Sequence, residues 1–292
     1  MNTKTVIANH SVTFDDRCAN CFLRTYQRLF KKFDVSISQK EQFLDFFHET
    51  IRTNYHMQNP EKARLLNKIF CQITGVPDPY SEEKDTSNKI AKRYYKKWRM
   101  KVLETENPFD MALRLAIAGN IIDYGASDTF NISETIDHVL KSDFAINDAV
   151  LLKRKIKESK KILYIGDNAG EIVFDKLFIE TMMHNDITYA VKGSPVMNDV
   201  TIQDAIDVGM DWVADLISNG YDAPSTILSQ CSDTFLKVYD EADLIISKGQ
   251  GNLEGLFEEN NSKIFFLLMI KCDVIAEILK VKKGDFVVYN QN

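Results

Sequence analysis

The stretch that most constrains the fold of this chain is Lys161–Glu180, which predicts a strand, a sharp turn and a helix in direct succession. Ile162–Ile165 is a short apolar run of the kind that fills a parallel strand buried on both faces. Gly166 and Gly170 then permit a tight turn and the close approach of a ligand to the backbone. From Ile172 onwards the apolar spacing favours a helix. Such a unit is typical of a parallel sheet covered by helices.

Asp167 and Asn168 lie in this turn, directly after the predicted strand. Open α/β sheets bind their ligands at the carboxyl ends of their strands. Side-chain oxygens at that place indicate a hard metal ion or a phosphate, although Asp and Asn are also common turn residues. Glu171 follows the pair; it could order a water, take a proton from an attacking water, or only stabilise the helix N-terminus.

Two later segments repeat this arrangement with different residues. A predicted strand at Ile187–Val191 leads into Ser194 and Asp199. A second predicted strand, at Leu244–Ser247, is followed by a polar, glycine-rich turn that contains Lys248, Gly249, Gly251 and Asn252. Because parallel strands end on one edge of a sheet, all three turns are expected to face the same rim.

The residues at these strand ends predict a site for phosphoryl transfer or phosphate hydrolysis. A carboxylate pair with amide oxygens suits Mg²⁺ or Mn²⁺. A lysine beside a glycine-rich turn suits a phosphate, so Lys248 is expected to project its ammonium group over the rim. Other phosphate motifs fit poorly. Ala169 stands where a haloacid-dehalogenase-type site needs a second Asp, and Gly249–Gly255 lacks the Lys-Ser/Thr ending of a P-loop.

The chain divides near Lys153–Lys161. Before this segment the pattern predicts only helices, at Asn20–Phe33, Gln39–Asn54, Pro60–Gly75, Tyr80–Leu103, Pro108–Asp123, Ile132–Leu140 and Ala145–Lys157. After it, further predicted strands alternate with helices, at Trp212–Ala214, Ile264–Ile270 and Phe286–Tyr289. We therefore predict an α/β fold with a mostly parallel sheet in a Rossmann-like α/β/α sandwich. A helical cap domain is expected over residues 1–155, and an α/β metal- and phosphate-binding domain over residues 156–292.

Composition excludes several functional classes. The chain has 292 residues, and its net charge of −6 argues against non-specific nucleic-acid binding. It contains neither a membrane-length apolar run nor a signal-peptide core, and its five cysteines do not form a secreted-type disulfide framework. We expect a cytoplasmic protein, a monomer or homodimer, that acts on a small phosphorylated metabolite.

Three motifs resemble the damage-control phosphatase family: GDNAGE at 166–171, SPVMNDVT at 194–201 and SKGQGNLE at 247–254. The segments DDRCANC at 15–21, DPYSEEKDTSN at 78–88 and ENPFDMALRLAIAGNIIDYG at 106–125 are similar to the helical half of its prokaryotic-type branch, which carries an N-terminal Cys-x-x-Cys. The resemblance therefore extends over nearly the whole chain.

The resemblance implies a fold, an activity and roles for individual residues. The metal ligands of the family fall on Asp167, Asn168 and Asp199, and its phosphate-contacting lysine falls on Lys248. The implied fold is a helical cap on an α/β/α sandwich. The implied activity is hydrolysis of small phosphate esters with a divalent metal, for which the oxygen ligands suit Mn²⁺, Co²⁺, Ni²⁺ or Mg²⁺.

Two features and two rival functions stay open. Asn120 lies on an apolar helix that would either roof the site and contact substrate or only cap the next turn. Cys18 and Cys21 form half of a zinc or redox motif, or they pack as small apolar residues. The rival functions are an S-adenosylmethionine-dependent protein carboxyl methyltransferase, although Asp167-Asn168 replaces the glycine-rich loop expected there, and a non-catalytic phosphometabolite-binding protein.

Overall fold

The computed structural model describes residues 16–54, 57–119 and 132–291. Its α-helices are α1 (Asp16–Lys32), α2 (Ile37–Thr53), α3 (Asn59–Thr74), α4 (Ser81–Glu104), α5 (Pro108–Ala118), α6 (Ile132–Lys141), α7 (Ala149–Glu158), α8 (Glu171–Met182), α9 (Ile202–Asp207), α10 (Asp233–Glu241), α11 (Gly249–Leu256) and α12 (Asp273–Leu279). Its strands are β1 (Phe144–Asn147), β2 (Ile162–Ile165), β3 (Ile187–Val191), β4 (Asp215–Ser218), β5 (Leu244–Lys248), β6 (Ile264–Met269) and β7 (Phe286–Asn290).

The strands form one sheet in the order β1-β7-β6-β5-β2-β3-β4. Strands β6, β5, β2, β3 and β4 are mutually parallel. Only β7 runs against its neighbour β6, and β1 then pairs parallel to β7. The prediction of a mostly parallel sheet is therefore confirmed.

Helices cover both faces of this sheet, as the α/β/α prediction requires. All four residues of β2 are buried, because alternate side chains enter opposite cores. Tyr164 faces a core that it shares with α4, α5 and α8, whereas Leu163 and Ile165 face a core that they share with α10, α11 and α12.

Helices α1, α2 and α3 form a separate aromatic cluster, which we call the cap cluster. Its members Tyr26, Phe30, Phe43 and Phe70 have rings that lie in contact with one another. Met197, from the loop after β3, packs against this cluster. The cap cluster therefore reaches the loop that carries Asp199, while α4 and α5 belong to the core of the sheet itself. The boundary at residue 155 stays a prediction.

Two predicted elements were wrong. The helix expected over Ala145–Lys157 begins only at Ala149, because the residues before it form β1 at the sheet edge. The short strand expected near Trp212–Ala214 is displaced: Met210–Trp212 is a 3₁₀ turn and the strand follows at Asp215–Ser218. Both missed strands lie at the sheet edges and have partly exposed residues, so their apolar pattern is weak.

Within the described part of the chain, the helices are too short or too polar to cross a membrane.

Candidate active site

The site lies where the sheet changes its winding direction. From β2 the chain proceeds to β3 and β4 on one side, whereas from β5 it proceeds to β6 on the other. Strands β2 and β5 are neighbours, so their carboxyl ends meet at this switch point. Such a crevice is where doubly wound sheets bind ligands. Asp167 and Asn168 follow β2, and Lys248 and Gly249 stand at the junction of β5 and α11.

Two loops are joined by backbone hydrogen bonds just above β2. The N–H of Ala169 donates to Asn198 O at 3.0 Å, and the N–H of Val200 donates to Asp167 O at 2.9 Å. These bonds pair Asn168 with Asp199 in an isolated antiparallel bridge. Asp167 and Asn168, after β2, are thereby placed beside Asp199, in the loop after β3. All three side chains are at least 93% buried, at 7%, 5% and 3% exposure for Asp167, Asn168 and Asp199.

The start of α11 lies directly against Asp167. A Cβ atom built on Gly249 would stand 1.9 Å from Asp167 Oδ2, and the φ angle of Gly249 is +80°. Only glycine satisfies both conditions without strain. The first N–H groups of a helix have no acceptor within the helix, so α11 presents donors beside the Asp167 carboxylate.

Lys248 lies beneath the rim rather than above it. Its side chain is fully buried, and Nζ donates to Ala116 O at 2.9 Å, to Asp175 Oδ1 at 2.6 Å and to Glu171 Oε1. These three acceptors use all three ammonium hydrogens. The expectation that the ammonium group projects over the rim is therefore wrong, because two buried carboxylates hold it below. A direct contact with phosphate stays a prediction, and it would require this network to open.

Asp175 is the centre of the buried network. Its Oδ1 also accepts from Tyr164 at 2.8 Å, and its Oδ2 accepts from Tyr189 at 3.0 Å. Tyr189 in turn lies against Gly166, where an added Cβ would stand 2.4 Å from the hydroxyl. The network thus fixes both Lys248 and the turn that carries Asp167.

Burial and neighbouring charges set the ionisation of these groups. Burial raises the pKa of Glu171 to about 8, against the opposing effect of Lys248. Burial also raises the pKa of Asp167, and the charges of Lys271 and Lys192 act in the opposite direction. Burial alone would lower the pKa of Lys248, but Asp175 and Glu171 outweigh it and the pKa rises. A bound cation would favour the ionised form of the two acids.

A second buried network supports the site from β3 and α11. Asn252 donates to Gly166 O at 3.0 Å and to Lys248 O at 2.8 Å, and it accepts from Lys192 Nζ at 2.8 Å and from Thr226 at 3.0 Å. Lys192 Nζ also lies 3.5 Å from Asp199 Oδ2. Asn252 therefore ties the ends of β2, β3 and β5 together, and its predicted contact with substrate stays a prediction.

Helix α4 closes one side of the loop after β2. Asn88 Oδ1 accepts from the N–H of Gly170 at 2.7 Å, and Ser87 Cβ would lie 3.1 Å from a Cβ on Gly170. These contacts come from a segment more than 80 residues earlier in the chain. The helical half therefore shapes the site directly.

The donor set suits a hard divalent cation. Two carboxylates and one side-chain amide are the oxygen ligands that Mg²⁺ and Mn²⁺ prefer. The Asn168 Nδ2 group donates to Asp167 Oδ2 at 2.6 Å, so the Asn168 Oδ1 atom lies on the side of the amide away from this bond. Among the described residues, no group of three or more His, Cys, Asp and Glu side chains is arranged to hold a metal. The candidate set therefore consists of two carboxylates and this amide.

The remaining predicted residues lie in different surroundings. Ser194 is exposed in the loop after β3, and Gly251 is partly exposed near the start of α11, where an added Cβ would stand 2.1 Å from Pro224 O. Asn120 lies outside the described residues. Cys18 is half-buried and accepts from Asn59 at 3.4 Å, whereas Cys21 is exposed; a metal or redox role for this pair stays a prediction.

Sequence reasoning gave no role to Asp175, Lys192 or Lys271. Asp175 follows Glu171 by four residues and so shares its helix face, which is a readable signal. Lys192 and Lys271 follow β3 and β6 as Lys248 ends β5. Lys271 is partly exposed, and its charge is the strongest single charge that opposes the pKa rise of Asp167.

Comparisons with known proteins identify relatives that match most of this chain. The model of the damage-control phosphatase ARMT1-like domain matches residues 14–287. A damage-control phosphatase of Pyrococcus horikoshii is 31% identical over 92% of this chain and 95% of its own length. A damage-control phosphatase of Archaeoglobus fulgidus is 34% identical over 84% and 88%, and an uncharacterized protein of Methanocaldococcus jannaschii is 36% identical over 94% of each chain.

A solved structure has the same fold. The crystal structure of a DUF89 family protein from Pyrococcus horikoshii superposes with a TM-score of 0.86 at 30% sequence identity, and the match covers 96% of this chain and 99% of the other.

Proposed function

Because this chain belongs to the ARMT1-like damage-control phosphatase family, we propose that it is a divalent-metal-dependent phosphatase that hydrolyses small phosphate monoesters, damaged or side-product metabolites among them. Relatives named as damage-control phosphatases support a phosphatase function. Metal dependence and the monoester class are our inferences. The observation that carries them is the bridge between Asn168 and Asp199, which gathers two acids and an amide at the switch point of the sheet.

Asp167, Asn168 and Asp199 would hold the cation. When bound, a divalent metal supplies Lewis acidity toward a phosphate oxygen. Lys192, whose Nζ lies 3.5 Å from Asp199 Oδ2, helps to hold that carboxylate in place. Lys248, through its own buried ion pairs, likewise holds the side chains of Glu171 and Asp175 in place.

The phosphate would lie between the ligand acids and the start of α11. The N–H groups of Gly249, Gln250 and Gly251 are suited to its oxygens, because a helix N-terminus attracts anions. Lys271, partly exposed beside Asp167, would neutralise an oxygen that the helix does not reach. These donors stabilise the charge that spreads over the phosphoryl oxygens during transfer.

Glu171 is suited to take a proton from the attacking water. Its Oε1 is held by Lys248, and its Oε2 faces Asn168 Nδ2 at 3.4 Å, so one oxygen points toward the ligand set. A pKa of about 8 lies close to neutral pH, as an efficient general base requires. Asp199 is the alternative base.

The test combines metal removal with ligand variants. Protein stripped with a chelator should lose p-nitrophenyl phosphate hydrolysis and regain it with Mn²⁺, Co²⁺, Ni²⁺ or Mg²⁺. Asp167→Ala, Asn168→Ala and Asp199→Ala should each lower kcat by about a hundredfold or more at saturating metal. Asp240→Ala, on the exposed side of α10, is the matched control and should retain full activity.

Full activity in excess chelator would refute metal dependence, and near-wild-type turnover in any ligand variant would remove that residue from the set. The same assay separates the rivals. A carboxyl methyltransferase or a non-catalytic binding protein would show no metal-supported turnover of the phosphate ester.

A further inference from the structure

Tyr189 connects the interior of the sheet to the turn that carries the proposed metal ligands. It lies on β3, where it pairs with Tyr164 of β2, and the two rings stack with 5.3 Å between their centroids. Both side chains are fully buried, and both hydroxyl groups donate to Asp175. The proposed reaction uses neither hydroxyl group, so each is a buried polar group beside the site with no role in the chemistry.

The two hydroxyl groups differ in what they touch besides Asp175. A Cβ atom built on Gly166 would stand 2.4 Å from the Tyr189 hydroxyl oxygen, 2.6 Å from Cζ and 2.7 Å from Cε1. These are the three atoms closest to that position, and none of them belongs to Tyr164. The Tyr189 hydroxyl group thus occupies the space that a side chain at residue 166 would fill.

Asp175 fixes the position of the Tyr189 hydroxyl group. The bond from Tyr189 to Asp175 Oδ2 is 3.0 Å long, and Oδ1 accepts from Tyr164 at 2.8 Å and from Lys248 at 2.6 Å. Burial raises the pKa of Tyr189, so its hydroxyl group stays protonated and remains a donor. Asp175 cannot turn away without losing these partners. The hydroxyl group is therefore a rigid stop against Gly166.

Gly166 is the backbone joint between β2 and the two ligands that follow it. Its N–H donates to Ala190 O at 2.9 Å, and its carbonyl oxygen accepts from Asn252 at 3.0 Å. Glycine has no side chain that limits its dihedral angles, so packing by a neighbour narrows its conformations. Beyond Gly166 the ligand loop is held by its bonds to the loop after β3. The Tyr189 hydroxyl group therefore acts where the ligand loop begins.

We propose that Tyr189 is a positioning residue of the metal site, which acts through the turn at Gly166. Its hydroxyl group, anchored by Asp175, holds that turn in the conformation that presents the ligands to the cation. The inference rests on the proposed function, since Asp167 and Asn168 are metal ligands only in that proposal. Contacts behind the ligands of a metal site commonly change metal affinity by about 10–100-fold.

The test measures Mn²⁺ binding and backbone exchange in Tyr189→Phe, which deletes the hydroxyl group and keeps the ring. In titration calorimetry of metal-free protein, the Kd for Mn²⁺ should rise about tenfold or more. Hydrogen exchange of the metal-free protein should show faster exchange of the Gly166 N–H, because the turn has lost its stop. The exchange measurement needs no metal, so it tests the turn separately from the proposed function.

Tyr164→Phe is the matched comparison, because it deletes the other hydroxyl group on Asp175 without uncovering Gly166. Urea unfolding should show it to be destabilised, since a buried hydrogen bond is lost. Its Kd for Mn²⁺ should nevertheless stay within about threefold of the wild-type value, below the range typical of contacts behind a metal ligand. Tyr239→Phe, on α10 in the opposite core, is the remote control and should change neither Mn²⁺ affinity nor Gly166 exchange.

Equal weakening of Mn²⁺ binding in Tyr164→Phe and Tyr189→Phe would show a merely structural role and overturn the assignment. Wild-type affinity, an unchanged Gly166 exchange rate or loss of the native circular dichroism in Tyr189→Phe would overturn it too. If the wild-type protein binds Mn²⁺ and hydrolyses p-nitrophenyl phosphate in that case, the proposed function stands and only the role of Tyr189 fails. A wild-type protein that binds no Mn²⁺ or other divalent cation would refute the metal-dependent function, and the assignment would fall with it.

Discussion

Removal of the Lys248 ammonium group tests the buried network most directly. Lys248→Met keeps most of the side-chain stem and deletes the charge that Glu171 and Asp175 share. It also leaves Ala116 O without its 2.9 Å donor. We expect a strongly destabilised protein, because two adjacent buried carboxyl groups lose their cation.

The magnitude follows from the geometry. Breaking a buried ion pair by removing one partner costs about 3–5 kcal/mol. An unsatisfied buried carbonyl adds about 1–3 kcal/mol. Part of this cost is avoided because Glu171, whose pKa is already about 8, can bind a proton. We therefore expect a loss of about 3–5 kcal/mol near neutral pH rather than the full sum.

The stability lost in Lys248→Met should grow as pH rises. Without Lys248 the folded-state pKa of Glu171 rises further above its unfolded value, because Lys248 opposes that rise in the wild type. The folded variant then binds more protons than the unfolded chain, so its stability falls as pH rises through that window. Wild-type stability also falls between about pH 4.5 and 8 through Glu171, but in the variant the fall continues to a higher pH because Lys248 no longer opposes the rise of that pKa. The difference should be larger at about pH 8.5 than at about pH 5.5.

The assay is urea unfolding in chelator at both pH values, with Lys237→Met as the control. Lys237 is exposed on α10, so its substitution should change stability by no more than about 0.5 kcal/mol. Equal unfolding midpoints for the two variants would show that Lys248 is not the buried counterion described here.

Two further predictions concern a glycine and a thiol. Gly249→Ala should abolish metal-supported turnover, because a Cβ at Gly249 would stand 1.9 Å from Asp167 Oδ2. It should also reduce stability by more than the control Gly75→Ala, because Gly75 has a positive φ as well but has nothing within 4 Å of the added Cβ. Urea unfolding and p-nitrophenyl phosphate kinetics check this, and equal effects of the two substitutions would contradict it. Burial raises the pKa of Cys71 to about 11. At about pH 8 iodoacetamide should therefore modify exposed Cys21 faster than Cys71, and the Cys71 rate should rise about tenfold per pH unit. Peptide mass mapping over time measures both rates, and comparable rates would refute the burial of Cys71.

The sequence by itself determined the elements whose signals are local. The apolar run of β2 and the glycine turn after it predicted a buried parallel strand, and the structure confirms all four strand residues as buried. The same local pattern placed Asp167 and Asn168 at a strand end. Parallel pairing then brought that end beside the end of β5, because parallel strands share one edge. The motif resemblance to damage-control phosphatases was confirmed by the family match over residues 14–287.

The edge strands show where local signals fail. Phe144–Asn147 pairs only with β7, more than 140 residues later, and two of its four residues are exposed. Nothing in that short segment opposes the helical pattern that continues into α7. Its extended conformation is imposed by a partner that the local sequence does not contain.

Only the tertiary structure decided how the site is supported. A lysine after a strand is equally suited to a phosphate, to solvent or to a buried carboxylate. Lys248 points inward because the fold brings Glu171 and Asp175 of α8 against its ammonium group. These acids lie 77 and 73 residues away in the sequence, so the local pattern does not reveal them. The role of α4 beside Gly170 likewise depends on contacts between distant segments. Hydrophobic periodicity and turn chemistry act within a few residues and can be read along the chain. The direction of a buried charge depends on which groups the whole fold brings within hydrogen-bonding distance.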